Sequence, residues 1–180
     1  MAHVDLLVVS VASPLSAATE VAHLYLEGAG SSVLVPRWSW HELDEETRRL
    51  DVTYVDPETR VRGILERGGV PPEAVVSLPR TIDGTDSEAA AIAAFAQSRA
   101  ARSLLVVTAR SHSARVRWLL RRALPADVDV RVRSPRHDRF APAAWWQTRG
   151  QSREVVEEYL RWINVLVLGD PWARHAAKES

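Results

Sequence analysis

The sequence predicts an α/β fold, a three-layer sandwich in which a mostly parallel sheet of about five strands carries helices on both faces. Three observations predict it. Short continuous apolar runs, DLLVVSVA at residues 5–12 and SLLVVTA at residues 103–109, have the composition of strands buried on both faces. Segments with apolar residues at helical spacing lie between them. The strand–helix unit then repeats along the chain, and repeated units of this length close as parallel crossovers.

The elements follow in order. Residues 5–12 are the first strand. Residues 16–27 place Ala17, Val21, Leu24 and Tyr25 on one helical face, and Gly28 and Gly30 stop the helix. Residues 32–36 are a second strand ended by Pro36. Residues 37–56 are irregular, with Trp38 and Trp40 ahead of a run of acids. Pro57 suits a first helical turn, and the helix runs to Arg67 with Gly68 and Gly69 to close it. Residues 74–78 are the third strand. Thr85-Asp86-Ser87-Glu88 fits a capping box before the alanine-rich segment that follows. Residues 103–109 are the fourth strand, and a helix from Ser113 to Leu124 has Ser111 as its N-cap. Residues 128–132 alternate in period two, as a strand near a sheet edge does. After a proline-containing loop with Trp145 and Trp146, residues 152–168 form an amphipathic helix with Val155, Val156, Tyr159, Leu160, Ile163 and Leu166 inward. This reads as one domain over residues 1–180, with a core of about 4–168 and a tail at 169–180.

Composition narrows the function. The 180 residues include no cysteine, which excludes disulfides, thiolate metal sites and a cysteine nucleophile. No apolar run approaches the ~20 residues of a membrane span. Asp5 interrupts the N-terminal apolar run and no basic region precedes it, so a signal peptide is not expected. Basic and acidic residues balance at 23 each, which argues against nucleic-acid binding by a global field. The charge is uneven, however. Residues 42–58 carry a net −5 and residues 99–139 a net +8. The basic segment either steers an anionic ligand or is a face that pairs with acids in the fold.

In a parallel sheet the ligand sits beyond the carboxyl ends of the strands. The exits are Ser10 to Leu15, Val35 to Trp40, Leu78 to Ser87 and Thr108 to Arg115. None carries a nucleotide-binding glycine fingerprint, a Walker A loop or a nucleophile elbow. Ser10 and Ser13 are small residues that allow close approach of a ligand. At the fourth exit, His112 falls on the apolar face of its helix, one turn before Val116, and Arg115 flanks it. A His, an Arg and free N–H groups at a helix start suit an anion. The same His also serves as a purely structural residue in many folds. The capping box accounts for Thr85 and Glu88 without any ligand, and the helix dipole accounts for Glu58. Trp38 and Trp40 are either a stacking wall or core and lid. His41-Glu42 and His137-Asp138 are adjacent pairs whose side chains diverge, so no metal site is expected.

The run Val107-Thr108-Ala109-Arg110-Ser111-His112-Ser113-Ala114-Arg115 resembles the V-T…H…R motif of the YdcF-like family, the bacterial group that includes SanA and ElyC. Gly69-Val70-Pro71, Glu58 and Thr85-Asp86-Ser87-Glu88-Ala89 resemble further family segments in the same order, as does Trp145-Trp146 followed by Glu154 and Glu157. The resemblance spans roughly Val4 to Leu168. Glu88 stands where the family has Asn, and Ser10-Val11-Ala12-Ser13 stands where it has a glycine-bearing loop.

The resemblance implies a Rossmann-like fold with its site at the strand ends, and S-adenosylmethionine as a ligand or cofactor. On this reading His112 and Glu58 are the catalytic candidates. Ser10, Ser13, Thr85, Glu88, Thr108, Ser111 and Arg115 bind the ligand, with Arg115 as an anion clamp. The expected protein binds a nucleotide-like or S-adenosylmethionine-like anionic small molecule, with its reaction open and no nucleic-acid partner. The alternative is a non-catalytic scaffold linked to cell-envelope processes. Envelope-linked members often carry an N-terminal membrane anchor, and this chain starts directly with its first strand, so a cytoplasmic location is expected.

Overall fold

The computed structural model describes residues 3–38, 49–50, 55–82 and 84–167. Trp40, the His41–Glu42 pair, Asp83, most of the acidic stretch and the tail at 169–180 lie outside the described residues, as does the side chain of Trp38.

Five strands form one parallel sheet among the described residues. They are β1 (Leu6–Val9), β2 (Val33–Trp38), β3 (Val75–Ile82), β4 (Ser103–Val107) and β5 (Asp129–Arg133), in the order β3-β2-β1-β4-β5. The helices are α1 (Pro14–Leu26), α2 (Pro57–Arg67), α3 (Thr85–Ser98), α4 (Ser113–Ala123) and α5 (Arg149–Val167).

Alternation along each strand builds two cores. Leu7 and Val9 of β1, with Leu105 and Val107 of β4, pack against Ala17, Val21 and Leu24 of α1 and Val61 and Leu65 of α2. Leu6 and Val8, with Leu104 and Val106, pack against Ile92 and Ala96 of α3 and Val116 and Leu120 of α4. A strand buried on both faces has no polar side, which is why β1 and β4 read as continuous apolar runs. The result is a Rossmann-like sandwich with α1 and α2 on one face and α3 and α4 on the other. Gly28 and Gly69, at φ +73° and +90°, take the left-handed conformation that ends α1 and α2.

Two strands run through prolines, one of them the Pro36 expected to end the second strand. β2 continues through Pro36 to Trp38, and β3 through Pro79 to Ile82. Their pairing shifts register between Val35 and Arg37, so the ladder is irregular where the prolines lack a donor. β3 is an edge strand, where proline is tolerated.

The final helix corrects a larger expectation. α5 begins at Arg149, and Val156, Tyr159, Leu160, Ile163 and Leu166 are each more than half exposed. Its one buried residue is Glu158. α5 packs on the turn Arg110–His112 instead of the sheet, with Trp162 edge-on to Trp118 at 5.6 Å. A polar group, and not the apolar stripe, therefore marks its inner face.

Candidate functional site

The sheet changes direction of growth at β1, which has β2 on one side and β4 on the other. Ligands of such sheets bind in the crevice at this switch point. The exits of β1 and β4 stay together there. Val9 pairs with Val107, and the N–H of Ser10 donates to the Val107 carbonyl at 3.0 Å. Ser10 and Thr108 thus end adjacent strands side by side, both fully buried, on the face covered by α3 and α4.

Glu88 reaches this point from the first turn of α3. The capping expected of it is done by others: Gly84 is the N-cap, and Ser87 Oγ accepts from its N–H at 3.1 Å and donates to its carbonyl at 2.9 Å. Glu88 is instead buried and turned to β1. It accepts from the Val11 N–H at 2.8 Å and from Ser10 Oγ at 3.3 Å. Burial raises its pKa to about 7, against the lowering pull of the Val11 and Ser10 hydrogen bonds and the Arg115 charge. A carboxyl that exchanges its proton near neutrality can act as acid or base.

Arg115 lies between Glu88 and α5. Its Nε donates to Glu158 Oε1 at 2.6 Å and its Nη2 to Glu158 Oε2 at 3.3 Å and Thr85 Oγ1 at 3.2 Å. Its Nη1 is 3.6 Å from Asp86. The guanidinium is thus buried and neutralised by protein carboxylates, so it is a brace between α3, α4 and α5, where an anion clamp was expected.

The same carboxylate of Glu158 accepts from His112 Nδ1 at 2.5 Å. An ionised carboxylate only accepts, which fixes the proton on Nδ1 and leaves Nε2 as the ring's second site. Nε2 has no hydrogen-bond partner among the described residues. Burial pushes the Glu158 carboxyl up, but the hydrogen bonds and charges of His112 and Arg115 outweigh it and hold the pKa at about 2. A carboxylate-oriented imidazole of this kind is a common proton carrier.

Two hydroxyls complete the picture. Ser13 Oγ and Thr108 Oγ1 are buried and have no hydrogen-bond partner among the described residues. Ser13 is the N-cap of α1, yet its side chain makes no cap bond. Native folds rarely leave such groups unmatched, and each costs about 1–3 kcal/mol.

The structure does not bring all the expected residues together. Glu58 sits on α2, across the sheet from His112, where it pairs with Arg37 at 3.2 Å and Arg62 at 3.5 Å and accepts from Ser77 Oγ. It shares no contact with His112, so the two do not form one catalytic pair. Ser111 does not cap α4. His112 takes the N-cap position, and Ser111 Oγ donates to Glu154.

The basic segment is consumed mostly inside the fold. Arg133 and Arg136 pair with buried Glu20, Arg121 donates to the carbonyls of Val128 and Val130, and Arg122 lies over Trp118. Glu158 is a residue of the candidate site that was not among those expected. Its available signal was the i, i+4 spacing from Glu154, which puts both acids on one helical face.

Comparisons with protein-family models, curated proteins and solved structures find no match to this chain. Among the described residues, no helix is long and apolar enough to cross a membrane and no group of three His, Asp or Glu could hold a metal ion.

Proposed function

We propose that this is a small-molecule-binding protein of the YdcF type whose ligand sits at the switch point between β1 and β4. The observation that carries the proposal is the pair of buried, unmatched hydroxyls, Ser13 Oγ and Thr108 Oγ1, at the two adjoining strand exits. A ligand that hydrogen-bonds them would meet the need that the protein leaves open.

The charges favour one of the two expected ligand types. A nucleotide phosphate would need a free cation, and Arg115 is already held by Glu158 and Asp86. A nucleoside carrying a cationic centre and an amino acid, as in S-adenosylmethionine, suits the site better. Its ribose hydroxyls match Ser and Thr side chains, its cationic groups match Glu88, and its carboxylate matches the N-terminus of α1 after Ser13. Glu88 and the Glu158-oriented His112 supply groups for proton transfer on the bound molecule.

The test is thermal stability against S-adenosylmethionine, S-adenosylhomocysteine and nucleoside mono-, di- and triphosphates. A ligand at 100 times its Kd adds about 2.7 kcal/mol of stability. The proposal expects a shift with the first two compounds and none with the phosphates. The scaffold reading has one observation in its favour, the outward apolar stripe of α5, and it expects no shift with any compound.

A further inference from the structure

A cavity lies beside α5, away from the Ser10 and Thr108 strand ends. Phe140, Val155, Tyr159 and Trp162 wall a cleft of about 250 Å³ between α5 and the turn after β4, with Arg110, Ser111 and Glu158 as its polar members. We propose that this cleft binds a small aromatic carboxylate, with the ring between the aromatic side chains and the carboxylate on the Arg110 guanidinium.

The charge of the cleft points to an acid. Glu158 is neutralised by Arg115 and lies within 3.5 Å of Arg161. The Ser111 hydroxyl is given to Glu154. Arg110 differs from both. Its side chain makes one long hydrogen bond, Nε to Ser134 Oγ at 3.4 Å, and no ion pair among the described residues. It is exposed, at the rim of an apolar cleft. A guanidinium beside aromatic walls matches a planar acid: the carboxylate takes a paired hydrogen bond and the ring takes the apolar surface.

The walls are also held in place. Asp138 accepts from the backbone N–H of Arg110 at 2.7 Å and of Phe140 at 2.8 Å, so one carboxylate fixes both sides of the cleft. Gln151 of α5 accepts from the Ala141 N–H at 2.9 Å and donates to the Arg139 carbonyl at 3.1 Å, which ties the Phe140 loop to the helix. Trp118 packs on Trp162. A site formed before binding loses little entropy when filled. The volume is below the ~300–1,000 Å³ of a drug-sized pocket, which limits the occupant to about one ring and its acid arm.

The test is calorimetric titration of the full chain with 3-phenylpropionate, 3-phenylpropylamine and 3-phenyl-1-propanol, which share a ring and differ in charge. The acid should bind about tenfold tighter than the alcohol, as a charge-assisted bond requires, and tighter than the amine. Arg110→Gln, an exposed change, should bring the acid down to the alcohol. Tyr159→Ala, also exposed, should weaken all three. Absence of acid binding, an amine that binds as well as the acid, or an acid preference that survives Arg110→Gln would overturn the proposal.

Discussion

Arg115 and Glu158 lie 43 positions apart, yet the arginine Nε meets the glutamate Oε1 at 2.6 Å with both side chains buried. Three consequences follow from this one pair. It joins α5 to α4, it orients His112 through the same carboxylate, and it removes the cation that a phosphate would need. Removing Glu158 leaves the buried Arg115 with Asp86, at 3.6 Å, as its remaining countercharge, and breaking a buried pair costs about 3–5 kcal/mol. Glu158→Ala should show that loss in urea denaturation. Adding Arg115→Met to it should recover most of the loss, because an apolar side chain then replaces the buried charge.

The two buried carboxyls should give stability opposite dependences on pH. Glu158 has its pKa depressed to about 2 from 4.5. Its contribution is complete above 4.5 and is lost as pH falls toward 2. Glu88 has its pKa raised to about 7 from 4.5. Its contribution is complete below 4.5 and is lost as pH rises through 7. Denaturation midpoints across this range should therefore fall on both sides. Glu88→Gln should flatten the fall between 4.5 and 7 and leave the acid limb unchanged.

The unmatched hydroxyls should trade stability against binding. Thr108→Val keeps the shape of the side chain and removes a buried group without a partner, so the free protein should gain roughly 1 kcal/mol or more. The same change should weaken ligand binding. A hydroxyl with a purely structural role gives the reverse pattern, a loss of stability with no change in binding.

The outward face of α5 should be nearly silent in folding. Leu160→Ser and Ile163→Ser alter exposed side chains, so each should leave stability within about 0.5 kcal/mol by thermal melting. A loss of 2 kcal/mol or more would mean that this stripe is packed in solution.

The contrast with α5 shows what was legible in the sequence. β1 and β4 were readable because burial on both faces removes every polar residue, and a short run such as Leu6–Val9 fits a strand covered on both sides. α1 was readable because Ala17, Val21 and Leu24 face the sheet at helical spacing. α5 has two candidate faces, and spacing alone cannot rank an apolar stripe against an acidic one. The acidic face lies inward because Arg115 and His112, distant in sequence, are there to receive it. Glu88 failed for a related reason. Its spacing from Thr85 matches a capping box, while its true partners, Val11 and Ser10, are fixed only by strand order. Pro36 misled at β2, because a register shift lets the ladder pass it. The strand exits were therefore legible, but the pairings among their side chains were not.

A ligand at the junction of β1 and β4 is tested by calorimetric titration of S-adenosylmethionine into the full chain and into Thr108→Val. Binding to the first should be saturable, and binding to the second at least about tenfold weaker, the worth of one buried hydrogen bond. Equal affinity for both, or no binding to either, would contradict this placement.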